Sequence, residues 1–147
     1  MPIKPETAFI GRINALLPLK QRRGSARARE ASPDAQIHYE KMNNPYSSGT
    51  ADSWYSGVRD LWVEFKYLPV RPQRATVRPK ELLSVLQQQW LDGRRAEGRN
   101  VAVIVGCPGG GIVLTDGAWQ HDLSATTFNS LVLSVVELAA WVRAQVA

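Results

Sequence analysis

The chain has 147 residues, 44% of them hydrophobic and 21% charged, which is the balance of one globular domain with a real core. No apolar run is long enough to span a bilayer and no signal-peptide pattern opens the chain, so no membrane partner is expected and a cytoplasmic setting fits. Cys107 is the only cysteine and there are two histidines, which excludes an intrachain disulfide and an ordinary structural zinc site, while the net charge of +5 points to a polyanionic partner.

Taken in chain order, Pro5 to Leu17 reads as a helix, with Pro5 in the first turn and a buried stripe of Phe9, Ile10, Ile13, Leu16 and Leu17. Glu6 extends that stripe. It either points inward, where a carboxylate needs a metal or a lysine, or it stays solvated at the positive helix N-terminus. Residues 20–35 form a polar, basic connector. Gln36 to Met42 reads as a strand, followed by turn-forming Asn43-Asn44-Pro45 and Ser47-Ser48-Gly49. Ser53 to Tyr55 and Leu61 to Leu68 are the two strands of a hairpin, the second rich in Trp, Val, Phe and Tyr.

Pro79 to Asp92 reads as one helix with a stripe of Leu82, Leu83, Leu86, Trp90 and Leu91. Gln87 falls on that stripe, either buried with hydrogen-bond partners or sitting at its exposed edge. Gly98 ends the segment. Val101 to Val105 is a continuous apolar run, as in a central strand, and the glycines from Cys107 to Gly111 connect it to a strand at Ile112 to Thr115. No Gly-Lys-Ser/Thr follows those glycines, so they are not a phosphate loop. Thr127 to Val146 is the last helix, capped by Thr126 or Thr127. It is apolar almost all round, and so belongs either in the interior or at a subunit interface formed by residues 126–147. The order is helix, strand, strand, strand, helix, strand, strand, helix, an α/β fold with a mixed central sheet flanked by helices in one domain over residues 1–147.

The chemistry concentrates in the hairpin. Alternation puts Glu64 and Lys66 on one face of their strand, with Leu61, Val63, Phe65 and Tyr67 on the other. A three-residue loop at Gly57, Val58 and Arg59 pairs Ser56 with Asp60 and Trp54 with Trp62, and brings Asp52 opposite Glu64. Directly opposed side chains have Cβ atoms about 4.5–5.5 Å apart, so two carboxylates there repel unless a cation lies between them. A loop one residue shorter would turn Asp52 to the other face. Two carboxylates and a lysine converging in this way suit a hard divalent cation beside a nucleophilic water. The bland alternative is a solvated sheet face.

Basic residues cluster in three places. Lys20, Arg22, Arg23, Arg27 and Arg29 form the first; Arg71, Arg74, Arg78 and Lys80 the second; Arg94, Arg95 and Arg99 the third. Guanidinium groups grip phosphate bidentately, so these clusters read as phosphate contacts, with solubility as the alternative.

These elements together resemble the restriction-endonuclease-like superfamily with its PD-(D/E)xK signature, and within it the virus-type replication-repair nuclease (VRR-NUC) branch with its small stand-alone phage members. The match rests on Glu6 in the first helix, Lys41 on the strand before Gly49-Thr50-Ala51-Asp52, then Glu64-Phe65-Lys66, then Ser84, Gln87 and Trp90 on the following helix. It spans about Glu6 to Gly106. The family proline before the aspartate is Ala51 here, and Glu30 and Glu40 compete with Glu6 as the first acidic element.

The resemblance implies a restriction-endonuclease-like core and a Mg2+- or Mn2+-dependent endonuclease acting on DNA, branched or double-stranded, in replication, recombination or repair, as a homodimer. It implies that Asp52, Glu64, the Phe65 carbonyl and Glu6 hold the metal. Lys66 and Gln87 would join Asp52, Glu64 and Glu6 in catalysis, while Lys41 and the first two basic clusters bind DNA. A non-catalytic nucleic-acid-binding module of the same fold is the alternative.

Overall fold

Alternation of apolar residues builds the sheet, and the sheet positions everything else. The computed structural model describes residues 2–20, 36–42 and 49–147. Helix α1 (Pro5–Asn14) precedes strands β1 (His38–Lys41), β2 (Ser53–Ser56) and β3 (Asp60–Tyr67). Helices α2 (Pro79–Leu82) and α3 (Val85–Ala96) follow, then β4 (Val101–Cys107), β5 (Gly110–Leu114), a 3-10 turn at Ala118–Gln120, α4 (Ala125–Leu131) and α5 (Val135–Val146). The five strands lie side by side in chain order, antiparallel except for the parallel pair of β3 and β4. A parallel pair cannot be joined by a tight turn, so the chain crosses over through α2 and α3.

This is the mixed sheet flanked by helices read from the sequence. On one face Leu61, Val63 and Phe65 pack with Phe9 and Ile13 of α1 and with Leu138 and Val142 of α5. On the other, Val101, Val103 and Val105 pack with Leu91, Trp119 and Phe128. β4 is buried along its whole length, which is why it reads as an unbroken apolar run. α1 sits close to the sheet because Gly106 offers no side chain there; a Cβ would lie 2.6 Å from the Phe9 ring.

Several expectations need correction. The single helix expected over Pro79 to Asp92 is two helices, broken where Leu83 is extended (φ −102°, ψ 140°). Ser84 starts a new helix because its hydroxyl accepts the Gln87 amide while the Gln87 side chain accepts the Ser84 amide. That break turns Leu86 outward, 51% exposed rather than on the stripe. The long helix expected from Thr127 to Val146 is likewise two. Its cap is Ser124, not Thr126 or Thr127, and an extended Val132 precedes a second reciprocal box between Ser134 and Glu137. The first helix ends at Asn14, short of Leu17.

Candidate active site

The hairpin has the register that places the acids together: Ser56 pairs with Asp60, Tyr55 with Leu61, Trp54 with Trp62 and Ser53 with Val63. β2 begins at Ser53, whereas β3 continues to Tyr67. Beyond Val63 the β2 side of β3 is left to the residues that precede Ser53. Asp52 occupies that notch. Its backbone amide donates to Glu64 Oε2 at 3.1 Å, and its Oδ2 accepts the Phe65 amide at 3.2 Å. Two carboxylates are thus tied to each other's strands through main-chain donors.

The loop carrying Asp52 is held down by Gly49. Its φ is +89°, and a Cβ there would lie 2.5 Å from the Leu86 carbonyl oxygen, so the chain passes directly against the first turn of α3. From that same turn Gln87 Nε2 donates to Glu64 Oε1 at 2.9 Å. Lys66 Nζ lies 3.5 Å from the same Oε1. Gln87 is half-buried, between the two alternatives left open by its position on the stripe, and is partnered at both ends of its amide, by Ser84 and by Glu64.

Glu64 is buried (3% exposed), and Asp52 Oδ1 is buried without a hydrogen-bond partner among the described residues. Burial is the main cause that raises the Asp52 carboxyl from 3.8 to about 7; the Phe65 amide opposes it and the Glu6 charge adds to it. Burial also raises Glu64, from 4.5 to about 8, with the Asp52 charge next in importance and Lys66 opposing. The site as built carries more negative charge than its own donors compensate.

An orphaned carboxylate oxygen beside the buried Glu64 carboxylate fits a hard divalent cation. The donor set is nonetheless small. Among the described residues no three His, Cys, Asp or Glu side chains come close enough together to form a metal site, so Glu6 does not complete a three-carboxylate cluster. Glu6 lies in the first turn of α1, half-buried, and reaches Asp52 through its charge. A cation that retains several waters needs no more than one or two protein carboxylates.

The remaining candidates are dispersed. Lys41 is exposed at the end of β1 and pairs with Ser53, which puts it on the face opposite Trp54 and Glu64. Glu40 is opposite Trp54, on the Glu64 face. Lys20, Arg74 and Lys80 are exposed. Arg71 donates to Asn129 Oδ1, and Arg78 lies near Glu81 and Asp122. Arg22, Arg23, Arg27, Arg29 and Glu30 lie outside the described residues. A cavity of about 500 Å³ lined by Pro18, Ile37, Val58 and Arg143 among others contains none of the acidic-site residues.

Sequence reasoning missed Ser84 as the residue that fixes Gln87, although the Ser-x-x-Gln spacing carried the signal. It also missed a row of aromatic rings beside the site, described below.

No family model matches the chain, and no curated protein matches it. Among solved structures the chain is similar to Hjc, a Holliday junction resolvase from the archaeal hyperthermophile Archaeoglobus fulgidus. The identity is 15% and the TM-score 0.45, covering 70% of this chain and 86% of that one. At this distance the likeness does not carry a function across, and the acidic site has to speak for itself.

Proposed function

We propose that this protein is a divalent-metal-dependent DNA endonuclease of the PD-(D/E)xK kind, directed to branched or junction DNA. The observation that carries the reading is the Asp52–Glu64 pair: a half-buried and a buried carboxyl, both with raised proton affinity, the first with a buried Oδ1 that has no hydrogen-bond partner among the described residues. A Mg2+ or Mn2+ ion bound there would make its water more acidic and offset charge on the scissile phosphate. Asp52 and Glu64 would be its direct ligands, with the Phe65 carbonyl, and Glu6 would act through water.

The protein's own residues do the positioning. Gln87 and Lys66 both touch Glu64 Oε1, which leaves Oε2 toward Asp52 and fixes the carboxylate plane. Lys66 is 23% exposed, so its ammonium can also reach a phosphate oxygen or the attacking water from the solvent side. The basic clusters would hold the backbone without reading sequence. Resolving a junction takes two cuts, so we read the active form as a homodimer. The compartment we propose is cytoplasmic, the host cytoplasm if the protein belongs to a phage. Among the described residues no helix is long and apolar enough to cross a membrane.

The test incubates the protein with four-way junction, flap, single-stranded and linear duplex DNA, with and without Mg2+ or Mn2+, beside Glu64→Ala. Metal-dependent cleavage that favours the branched substrates and disappears in Glu64→Ala is the expected result. DNA binding without cleavage under any metal would replace the nuclease with a non-catalytic binding module.

A further inference from the structure

Four aromatic rings run across the sheet on the face that carries Glu64. His38 meets Trp54 edge-on with ring centroids 5.3 Å apart. Trp54 stacks on Trp62 at 5.6 Å with an interplanar angle of 17°. Trp62 meets Trp90 of α3 edge-on at 5.6 Å, and the Arg94 guanidinium lies 5.8 Å from the Trp90 ring centre. Trp62 and Trp90 pack against the core beneath α3. Trp54 is half-buried and joins neither core cluster, and His38 is exposed. The outer half of the row is therefore an aromatic surface that α3 leaves uncovered.

Its position is set by the same register that builds the acidic site. Trp62 precedes Glu64 by two residues on β3, and Trp54 follows Asp52 by two residues. Two residues along a strand are about 6.6–6.8 Å, the scale of one nucleotide step. We infer that Trp54, backed by Trp62 and edged by His38, forms a stacking platform for an unpaired DNA base one nucleotide from the scissile phosphate.

The charges sort base from phosphate. Lys66 lies at the acidic notch and Arg94 at the α3 end of the row. At the other end the acids are close: Asp60 Oδ1 accepts the Trp54 indole N–H at 3.2 Å, and Glu40 is paired with Trp54 across β1 and β2. Carboxylates beside Trp54 repel a phosphate, while they can accept from the exocyclic amine of a base. An aromatic face with flanking acceptors, continuous with a phosphate site, fits a neutral heterocycle. It would also account for the proposed preference for branched DNA, because a duplex interior offers no unstacked base.

The inference rests on the nuclease reading for its geometry, but its test does not need cleavage. The full-length protein is titrated in EDTA with a short single-stranded oligonucleotide carrying 2-aminopurine, with its fully paired duplex, and with the same strand carrying an abasic residue at the probe position. Stacking predicts quenched 2-aminopurine fluorescence for the single strand and weaker binding of the abasic strand. Trp54→Leu keeps an apolar side chain without a ring and should weaken single-strand binding by about 5- to 160-fold, the range for loss of one base–aromatic stack. Trp54→Phe should restore most of it, and His38→Ala, at an exposed edge, should give a smaller loss without altering the fold. Thermal melts of each variant separate lost stacking from lost folding.

Equal affinity of wild type, Trp54→Leu and His38→Ala for the single strand, or equal affinity for the abasic strand, would overturn the platform and leave the row as hairpin packing. Stacking without metal-dependent cleavage of any junction would keep the platform and remove the nuclease.

Discussion

Gln87 Nε2 donates to Glu64 Oε1 at 2.9 Å while the other end of the same amide accepts the Ser84 backbone N–H at 2.9 Å. One side chain thus starts a helix and orients a carboxylate. The two duties can be separated by substitution. Gln87→Glu keeps the reciprocal box with Ser84, since glutamate serves there as well as glutamine, but sets a third negative charge against Glu64. The added charge attracts a divalent cation more strongly, so it should lower the Mg2+ or Mn2+ concentration needed for half-maximal cleavage. Gln87→Leu loses both contacts, and a melting temperature lower by a few degrees should accompany the loss of rate, since a lost cap costs about 1 kcal/mol. Unchanged metal dependence in Gln87→Glu would mean that the amide has no part in the site.

The acidic pair predicts how metal-free stability varies with pH. Burial is the main cause for both groups: it raises Asp52 to about 7, with the Glu6 charge adding, and Glu64 to about 8, with the Asp52 charge adding. The folded chain then holds protons that the unfolded chain has already released. The stability this contributes is complete below the unfolded values of 3.8 and 4.5, and it is lost as pH rises through 7 and 8. In EDTA the melting temperature should fall by several degrees from about pH 4 to about pH 8. Asp52→Asn should flatten that slope. A melting temperature that rises across this interval would contradict the buried pair.

Divalent metal should reverse that loss. A ligand that binds only the folded chain stabilises it by RT ln(1 + [L]/Kd), about 2.7 kcal/mol at a hundredfold excess over Kd. Added Mn2+ should therefore raise the melting temperature more at pH 8 than at pH 5, where the carboxyls are protonated. The increment should vanish in Asp52→Asn and in Glu64→Ala. An equal shift in those variants would place the metal elsewhere.

Gly49→Ala tests the loop that delivers Asp52. Its φ of +89° and the 2.5 Å approach to the Leu86 carbonyl leave no room for a Cβ. A residue forced into that conformation costs of order 1–3 kcal/mol. Melting should drop accordingly, and cleavage should fall further than melting explains, because the displaced segment carries Asp52, the proposed metal ligand. Wild-type activity in Gly49→Ala would show that Asp52 tolerates movement of its loop.

Ser134→Ala is the contrast. It removes the cap that separates α5 from α4 and should cost about 1 kcal/mol of stability with no change in metal-dependent rate. A selective loss of activity would tie the α4–α5 break to function.

Much of the sheet was legible because its signals are strong and local. Alternation in Leu61-Trp62-Val63-Glu64-Phe65-Lys66 and the three-residue hairpin loop fixed the register that brings Asp52 to Glu64. The unbroken apolar run at β4 marked the strand covered on both faces. The helix breaks at Leu83 and Val132 were not read, because hydrophobic spacing continues across both sites while the local caps at Ser84 and Ser134 decide the backbone. A serine three residues before Gln or Glu outweighed periodicity in each case. The place of Glu6 was only half readable. Its helix was plain, but its distance from Asp52 depends on how α1 docks over Phe65 and Gly106, a packing outcome that no local pattern contains.

The parallel pairing of β3 with β4 has a consequence for when the acidic site comes into being. Asp52 and Glu64 belong to a hairpin that can close locally, but the amide that orients Glu64 arrives with the crossover, and the strand that walls the centre arrives only with Val101–Cys107. A nascent chain halted before that strand would own the ligands without their cradle. On the proposed reading, competence to bind an ion is coupled to synthesis of the middle of the sheet, and unfinished copies would be chemically inert.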